Sequence, residues 1–341
     1  MINQIGWLAK DKCGENILKR NMLKRKWLQV GVPLLAAGIL TLGVVPFAGA
    51  SGTALTTGQA NKVSMGYISK VKPNASLHAL LPASIKAKGF ITIGAQLLAS
   101  PYAYLSPTQK PMGFEVNLGY AIGKVLGVKI KWVQFPQWNA IIPAVQTGRV
   151  NMSLAYMNDT ALREQMISFV DYLASGIVII VGAGNPENIV GPSGLCGKNV
   201  SVMAASVQEV YLLSLNATGG VCASNPTKEV IAQGEAQQTI NLKTGRADAW
   251  LDNNLSGGYA AASLGVYEVP YAVIEPGPYG IGFAKNSQPL MKAVHGAMIR
   301  LMAGGTTSVY KKIFTAWGVA SAAILKPTIN GCATTKLYTG C

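Results

Sequence analysis

Along the chain, hydrophobic and polar positions change period many times, and the changes come in order. Residues 90–95 (FITIGA) read as a strand. At 114–126 the apolar positions are 114, 118, 121, 122, 125 and 126, one face of a helix. Residues 128–133 alternate apolar with lysine, the mark of a half-exposed strand. A helix over 138–147 follows, ended by Gly148, and then strands at 150–155 and 176–181. The stretch 96–112 carries Pro101, Pro107 and Pro111, so it reads as loop. Between 155 and 176 a polar turn contains Thr160-x-x-Arg163.

After a Gly/Pro-rich break at 182–194 the order restarts. Strands are predicted at 198–203 and 247–251, and helices at 206–216, 235–245 and 255–264. Residues 229–234 read as connection. QTGRVNMSL near 146–154 is echoed by KTGRADAWL near 243–251, which suggests two units of similar build. A strand at 279–284 and helices at 288–304 and 308–317 complete the pattern. Such alternation predicts an α/β fold, and its βα loops are where small ligands usually bind.

The ends differ from this core. The first 50 residues hold seven Lys/Arg against Asp11 and Glu15, then the apolar run 28–45, then Ala48-Gly49-Ala50. That is the plan of a secretory signal peptide, with cleavage expected after Ala50 and an uncleaved anchor as the alternative. Elsewhere no apolar run reaches the about 18 residues of a membrane span. The expected location is the periplasm. Residues 51–84 are read as a flexible linker over 51–75, rich in Ser, Thr, Gly and Asn, and the start of a short helix from His78 with Gly89 as its C-cap.

Composition adds two points. Only 13% of residues are charged, yet the net charge is +15, of which +10 remains beyond residue 50. The excess suits anionic ligands or a membrane face. Nucleic acid is excluded, because the basic residues are scattered and do not cluster with aromatics. Cys196, Cys222, Cys332 and Cys341 form an even set in an oxidising compartment. Of the three possible pairings, nearest neighbours in sequence favour Cys196–Cys222 and Cys332–Cys341. Zinc is the alternative, but no C-x-x-C exists and neither His78 nor His295 is spaced to complete a site. No metal or other cofactor is predicted.

Catalytic signatures are missing. H-E-x-x-H, G-x-S-x-G and a Walker loop do not occur, and two histidines leave little room for a Ser-His-Asp system. The glycines of PGPYGIGF open a strand and are no dinucleotide fingerprint.

A run of short motifs does occur: LLPASIKAKG, ASPYAY, GFEVNLGYAIGKVLG, WNAIIPAVQTGRVN, TALR, FVDY, YGIGFAKNSQPL and VYKKIFTAWG. In this order they resemble the periplasmic amino-acid-binding proteins of ABC importers, solute-binding protein family 3, over about residues 80–319. The resemblance implies a two-lobed periplasmic binding protein of type II, a Venus-flytrap with two hinge crossover strands near 179–184 and 274–280. Lobe 1 would be 85–181 plus 279–319, lobe 2 would be 184–275, and 320–341 a tail held by a disulfide. It implies a monomeric receptor, not an enzyme, that delivers a small carboxylate-bearing ligand to a permease of the inner membrane. Two alternatives remain: a cyclohexadienyl-dehydratase-like enzyme on the same fold, and a membrane-anchored sensory module.

Residue roles follow from the same resemblance. Arg163 matches the arginine that grips the ligand carboxylate, for which a planar guanidinium is suited. Trp138 matches the aromatic that packs on the ligand, and Tyr102 a loop aromatic of the cleft. Ala155, Tyr156 and Asn158 match polar positions after a strand. Ser206, Val207 and Gln208 match the start of a lobe-2 helix, where free N–H groups suit a carboxylate. Asp171 is read as structural. Three positions depart from the pattern: the frequent first-strand Asp is Gln96, the loop tyrosine is Ala99, and the Asp that meets the ligand ammonium falls on Asn253. Asp252 is adjacent, but neighbours on a strand face opposite ways. These departures spare the carboxylate half of the pocket and weaken its ammonium half.

Overall fold

The computed structural model describes residues 55–335. The expected signal segment, residues 1–50, lies outside them, as does Cys341. Among the described residues twelve strands occur: β1 (Phe90–Ala95), β2 (Leu98–Ala99), β3 (Ala103–Leu105), β4 (Pro111–Met112), β5 (Lys129–Gln134), β6 (Met152–Ser153), β7 (Ile167–Gly182), β8 (Asn199–Met203), β9 (Lys228–Ala232), β10 (Ala249–Asn253), β11 (Val266–Glu268) and β12 (Ile274–Ala284). Nine of them form one sheet in the order β5-β1-β6-β12-β7-β10-β8-β9, with β11 also on β7. β5-β1-β6 and β10-β8-β9 are parallel, whereas β12 and β10 run antiparallel to β7.

β7 is the backbone of this arrangement. Its residues 167–175 pair with β12, and its residues 177–181 pair with β10. The change of partner falls at Ser175–Ile177, upstream of the expected crossover at 179–184. Two hydrophobic cores lie on either side of that point. The larger contains Ile91, Ile93, Phe114, Leu118, Phe169, Phe283 and Phe314. The second contains Ile179, Val200, Val202, Leu212, Leu215 and Leu251. We refer to their surroundings as the first and second lobes. The disulfide Cys196–Cys222 lies beside the second core.

Local chemistry accounts for the elements. Gly89 and Gly127 end helices Ala83–Lys88 and Phe114–Leu126 in the left-handed region, at φ 69° and 66°. The Thr-Gly-Arg echo is one device used twice. Thr147 and Thr244 each donate a side-chain hydrogen bond of 2.8 Å to the carbonyl four residues back, and Gly148 and Gly245 turn at φ 71° and 69°. Each turn feeds a short buried strand, β6 or β10.

Several expectations are corrected. Residues expected as linker contain a helix, Thr57–Ile68, with a capping box between Thr56 and Gln59. That Thr-x-x-Gln spacing was the available signal; its buried face uses Ala60, Ser64 and Ile68, too small and polar to show a strong period. Residues 229–234 include most of an edge strand, β9, set by the K-E-V-I-A pairing with β8. The loop 96–112 folds into the small antiparallel sheet β2-β3-β4. The helix expected at 138–147 divides into a 3-10 turn, Trp138–Ala140, and helix Ile141–Gln146, with Pro143 in its first turn.

The tail is ordered against the first lobe. Val170 and Leu173 of β7 form bridges with Ile329 and Ala323, and Asn330 accepts the Phe169 N–H at 2.8 Å. Among the described residues no helix is long and apolar enough to cross a membrane.

Candidate ligand-binding cleft

The T-x-x-R motif is a helix start. Thr160 caps helix Ala161–Met166 by accepting the Arg163 N–H at 3.3 Å, which fixes where the arginine leaves the backbone. The Arg163 side chain is 6% exposed. One terminal nitrogen donates to Asn158 O and the other to Ala205 O, both at 3.0 Å, so the guanidinium ties the two lobes. It also sits 4.9 Å from the Trp138 ring centroid. Among the described residues the sole ion pair is Lys198–Glu187, so Arg163 is buried without an acid in contact. Burial lowers its pKa to about 10, which still leaves it charged at neutral pH.

Arg163 lines a small cavity of about 10 Å³, room for one water. Trp138, Tyr156 and Asn158 also line it from the first lobe, and Ser206, Val207, Gln208, Asp252 and Asn253 from the second. Met203 and Tyr279, which the sequence did not single out, complete the wall. Three of the expected residues stand back from it. Ala155 turns its carbonyl to the Trp138 indole at 2.9 Å. Tyr102 packs on Tyr156, ring centroids 5.2 Å apart, and donates to Asn253 Oδ1 across the lobes. Gln96 accepts the Tyr156 hydroxyl at 2.6 Å and donates to Gln233 O at 2.8 Å and Pro136 O at 3.0 Å.

The walls are held under local strain. Tyr156 and Ala205 have φ of 41° and 60°, the left-handed region that non-glycine residues rarely occupy. Glu115 anchors the Tyr156 turn: its Oε1 accepts the Tyr156 N–H at 2.8 Å and the Tyr172 hydroxyl. Burial pushes Glu115 up to about 8. The G-F-E motif has its reason here. A Cβ on Gly113 would lie 2.0 Å from Tyr102 O, so only glycine lets the Tyr102 loop rest on helix Phe114–Leu126.

In the second lobe, Ser206 caps helix Val207–Asn216 by accepting the Glu209 N–H at 3.1 Å. The helix thus presents its first amides beside Arg163. Asn253 acts as a cap too, accepting the Ser256 N–H at 2.9 Å. Its amide donates to Asp252 Oδ1 at 2.8 Å. Asp252 Oδ2 is buried with no hydrogen-bond partner. Burial raises the Asp252 pKa to about 7; the nearby Trp250 indole opposes this without reaching hydrogen-bond geometry. Glu235, at the start of helix Glu235–Lys243, accepts the Ser256 hydroxyl at 2.6 Å, and burial together with Asp252 raises its pKa strongly. Neither Glu115 nor Glu235 had a sequence signal beyond being an acid at a helix start.

A buried arginine between two lobes, faced by a helix N-terminus, is an arrangement chemically suited to an anion. Residues 91–319 match the model of bacterial extracellular solute-binding proteins, family 3. The chain belongs to this family. This solute-binding protein is 27% identical to the lysine/arginine/ornithine-binding periplasmic protein of Escherichia coli (strain K12) over 256 residues, 70% of this chain and 91% of that one. It is 26% identical to the arginine-binding protein ArgT of Corynebacterium glutamicum over 262 residues, 76% of this chain and 84% of that one. Among solved structures, an ancestral arginine-binding protein bound to arginine superposes with a TM-score of 0.60 at 27% identity, covering 67% of this chain and 98% of that one. The family and these neighbours agree with the type II, two-lobed fold expected from the motifs.

Proposed function

We propose that this solute-binding protein captures an amino acid, or a close relative with a free carboxylate, outside the cytoplasm and delivers it to an ABC importer. The carboxylate meets Arg163 and the first amides of helix Val207–Asn216. The ammonium meets Asp252, whose Oδ2 is unengaged, and not Asn253, whose side chain is spent on the cap and on Tyr102. The ligand side chain packs against Trp138 and Tyr156. Ligand then bridges the lobes and stabilises the closed state, with β7 and β12 absorbing the rotation.

One observation carries this reading: Arg163 is buried between the lobes with carbonyl partners only and no acid in contact. A buried charge without a counter-charge is costly, and a carboxylate relieves it. The named relatives bind amino acids, which supports the same ligand class. In this reading the protein binds without turnover, acts as a monomer, and is released to the periplasm after cleavage at Ala50. The mass of the exported protein tests the cleavage, and unchanged prephenate and arogenate after incubation test the lack of turnover.

Calorimetry with the common amino acids tests the ligand. Arg163→Ala is expected to weaken binding at least about 100-fold, the loss of two charge-assisted hydrogen bonds. Wild-type affinity in that variant would overturn the reading.

A further inference from the structure

Charge is divided between the lobes. From residue 55 to residue 183 the acids are Glu115, Asp159, Glu164 and Asp171, and all four are buried. Residues 276–335 contain no Asp or Glu. Among the described residues the first lobe therefore exposes no carboxylate. The second lobe, residues 184–275, holds eight Asp/Glu against four Lys/Arg. Several exposed lysines of the first lobe meet at an open groove of about 580 Å³. Lys124 and Lys129 stand exposed in its wall. Lys72 and Lys88 are exposed beside Pro73 and Gly89, which line it. Between them the lining is apolar: Ile68 is buried, and Tyr120, Val128 and Ile130 are half-buried. None of these lysines is in an ion pair, because the sole pair among the described residues, Lys198–Glu187, belongs to the second lobe. The groove lies where β1 and β5 begin: the Lys129 N–H donates to Gly89 O at 2.9 Å, and Phe90 pairs with Lys129. From there β1 runs about 20 Å to Gln96, beside the cleft.

Lysines grouped without counter-charges repel one another and attract anions. On an edge strand such as β5, lysine also guards against stray pairing, which gives Lys129 a second reason. That reason does not reach Lys124 and Lys88, which lie on helices, or Lys72, which lies in a loop. A free inorganic anion would use the lysines and leave the apolar lining idle. A short acidic peptide would fill the groove and leave the rest of the basic lobe idle. An anionic bilayer uses both, because a charged plane attracts every basic residue within a Debye length, about 8–10 Å, and offers apolar chains below its phosphates. We infer that the first lobe docks, at the groove between Lys124 and Lys129, on a membrane face that carries anionic phospholipid. The lysines meet the phosphates, and the apolar lining meets the boundary of the acyl chains. The second lobe, with its excess of acid, is turned away from the lipid. The ligand cleft lies at the other end of β1, so it stays open to solute while the protein is held at the membrane.

Cosedimentation of the exported protein with vesicles tests this. It is expected to bind vesicles of equal parts phosphatidylglycerol and phosphatidylcholine, to leave those of phosphatidylcholine alone, and to be released by raised salt. Lys124→Glu combined with Lys129→Glu is expected to weaken binding at least about tenfold. Lys72→Glu combined with Lys88→Glu, a second pair at the same groove, should act in the same direction. Lys228→Glu combined with Lys243→Glu, two exposed lysines of the second lobe, changes the net charge equally and should stay within about twofold of the wild type. Thermal unfolding checks that each variant is folded. Equal losses in the groove pairs and the second-lobe pair would make the attraction one of net charge and overturn the groove. Absence of binding to the anionic vesicles overturns the inference outright. Capture by soluble polyglutamate without binding to vesicles overturns it too, and assigns the face to an acidic protein.

Discussion

Two clusters of buried acids, one at the C-terminal tail and one at the cleft, are furnished differently. Asp159, Glu164 and Asp171 sit under the C-terminal tail. Cys332 N–H donates to Asp159 at 3.3 Å, Ala333 N–H to Glu164 at 3.0 Å, and the Thr328 hydroxyl to Asp171. Asp252 lines the cleft cavity, accepting the Asn253 N–H and side-chain amide on Oδ1, and Glu235 accepts the Ser256 hydroxyl behind it. The first cluster takes its donors from the tail, and burial, followed by the neighbouring Asp171, pushes the Asp159 pKa up to about 9. In both clusters an oxygen is left without a partner, on Asp159 and Asp171 as on Asp252, but only that of Asp252 belongs to a residue lining the cavity. Position against the cavity, more than donor supply, acidity or burial, is what separates the two clusters.

The largest expected effect that sharpens this contrast is in the cleft. Asp252→Asn should weaken amino-acid binding by about ten- to a hundredfold, since it removes the ammonium's counter-charge. Titration calorimetry reads it, and binding unchanged by the substitution would erase the distinction between the clusters. Next comes pH dependence. Asp159 has a folded pKa above its unfolded one, so its contribution to stability is complete below about 4 and lost as pH rises through about 9. Asp171, Glu115 and Asp252 are raised as well and act in the same direction. Thermal unfolding should therefore move down as pH rises from 5 to 9. Asp159→Asn should flatten that slope by a few °C, while Asp252→Asn in the same scan should leave the tail's share in place. The smallest effect is at the lobe contact. Tyr102→Phe removes one cross-lobe hydrogen bond to Asn253 and should weaken binding about fivefold, the worth of a single neutral bond; an increase in affinity would mean that the contact competes with ligand.

Much of the fold was legible because its punctuation is local. The Thr-Gly-Arg turns, the glycine caps and the alternating strands depend on residues a few positions apart, and they lie where the pattern places them. Nine of the residues nominated for the cleft line one cavity, since strand ends and helix starts project to the same side of an α/β sheet. What escaped depends on distance in sequence. Glu235 gains its meaning from Gln96 and Ser256, and Glu115 from Tyr156 and Tyr172. Met203 and Tyr279 reach the cavity only through sheet order. The full length of β7 was hidden because Asp171 and Ser175 interrupt its apolar run, although both are buried.

The tail has a practical consequence for anyone using this protein as a sensor. The family match ends at 319, yet residues 328–333 clasp the segment that carries Arg163. A fluorescent reporter or surface tether attached at the C-terminus would load the clasp and, through it, the arginine. Attachment in the second lobe at the exposed Val221, next to the disulfide-held Cys222, keeps mechanical load off that clasp.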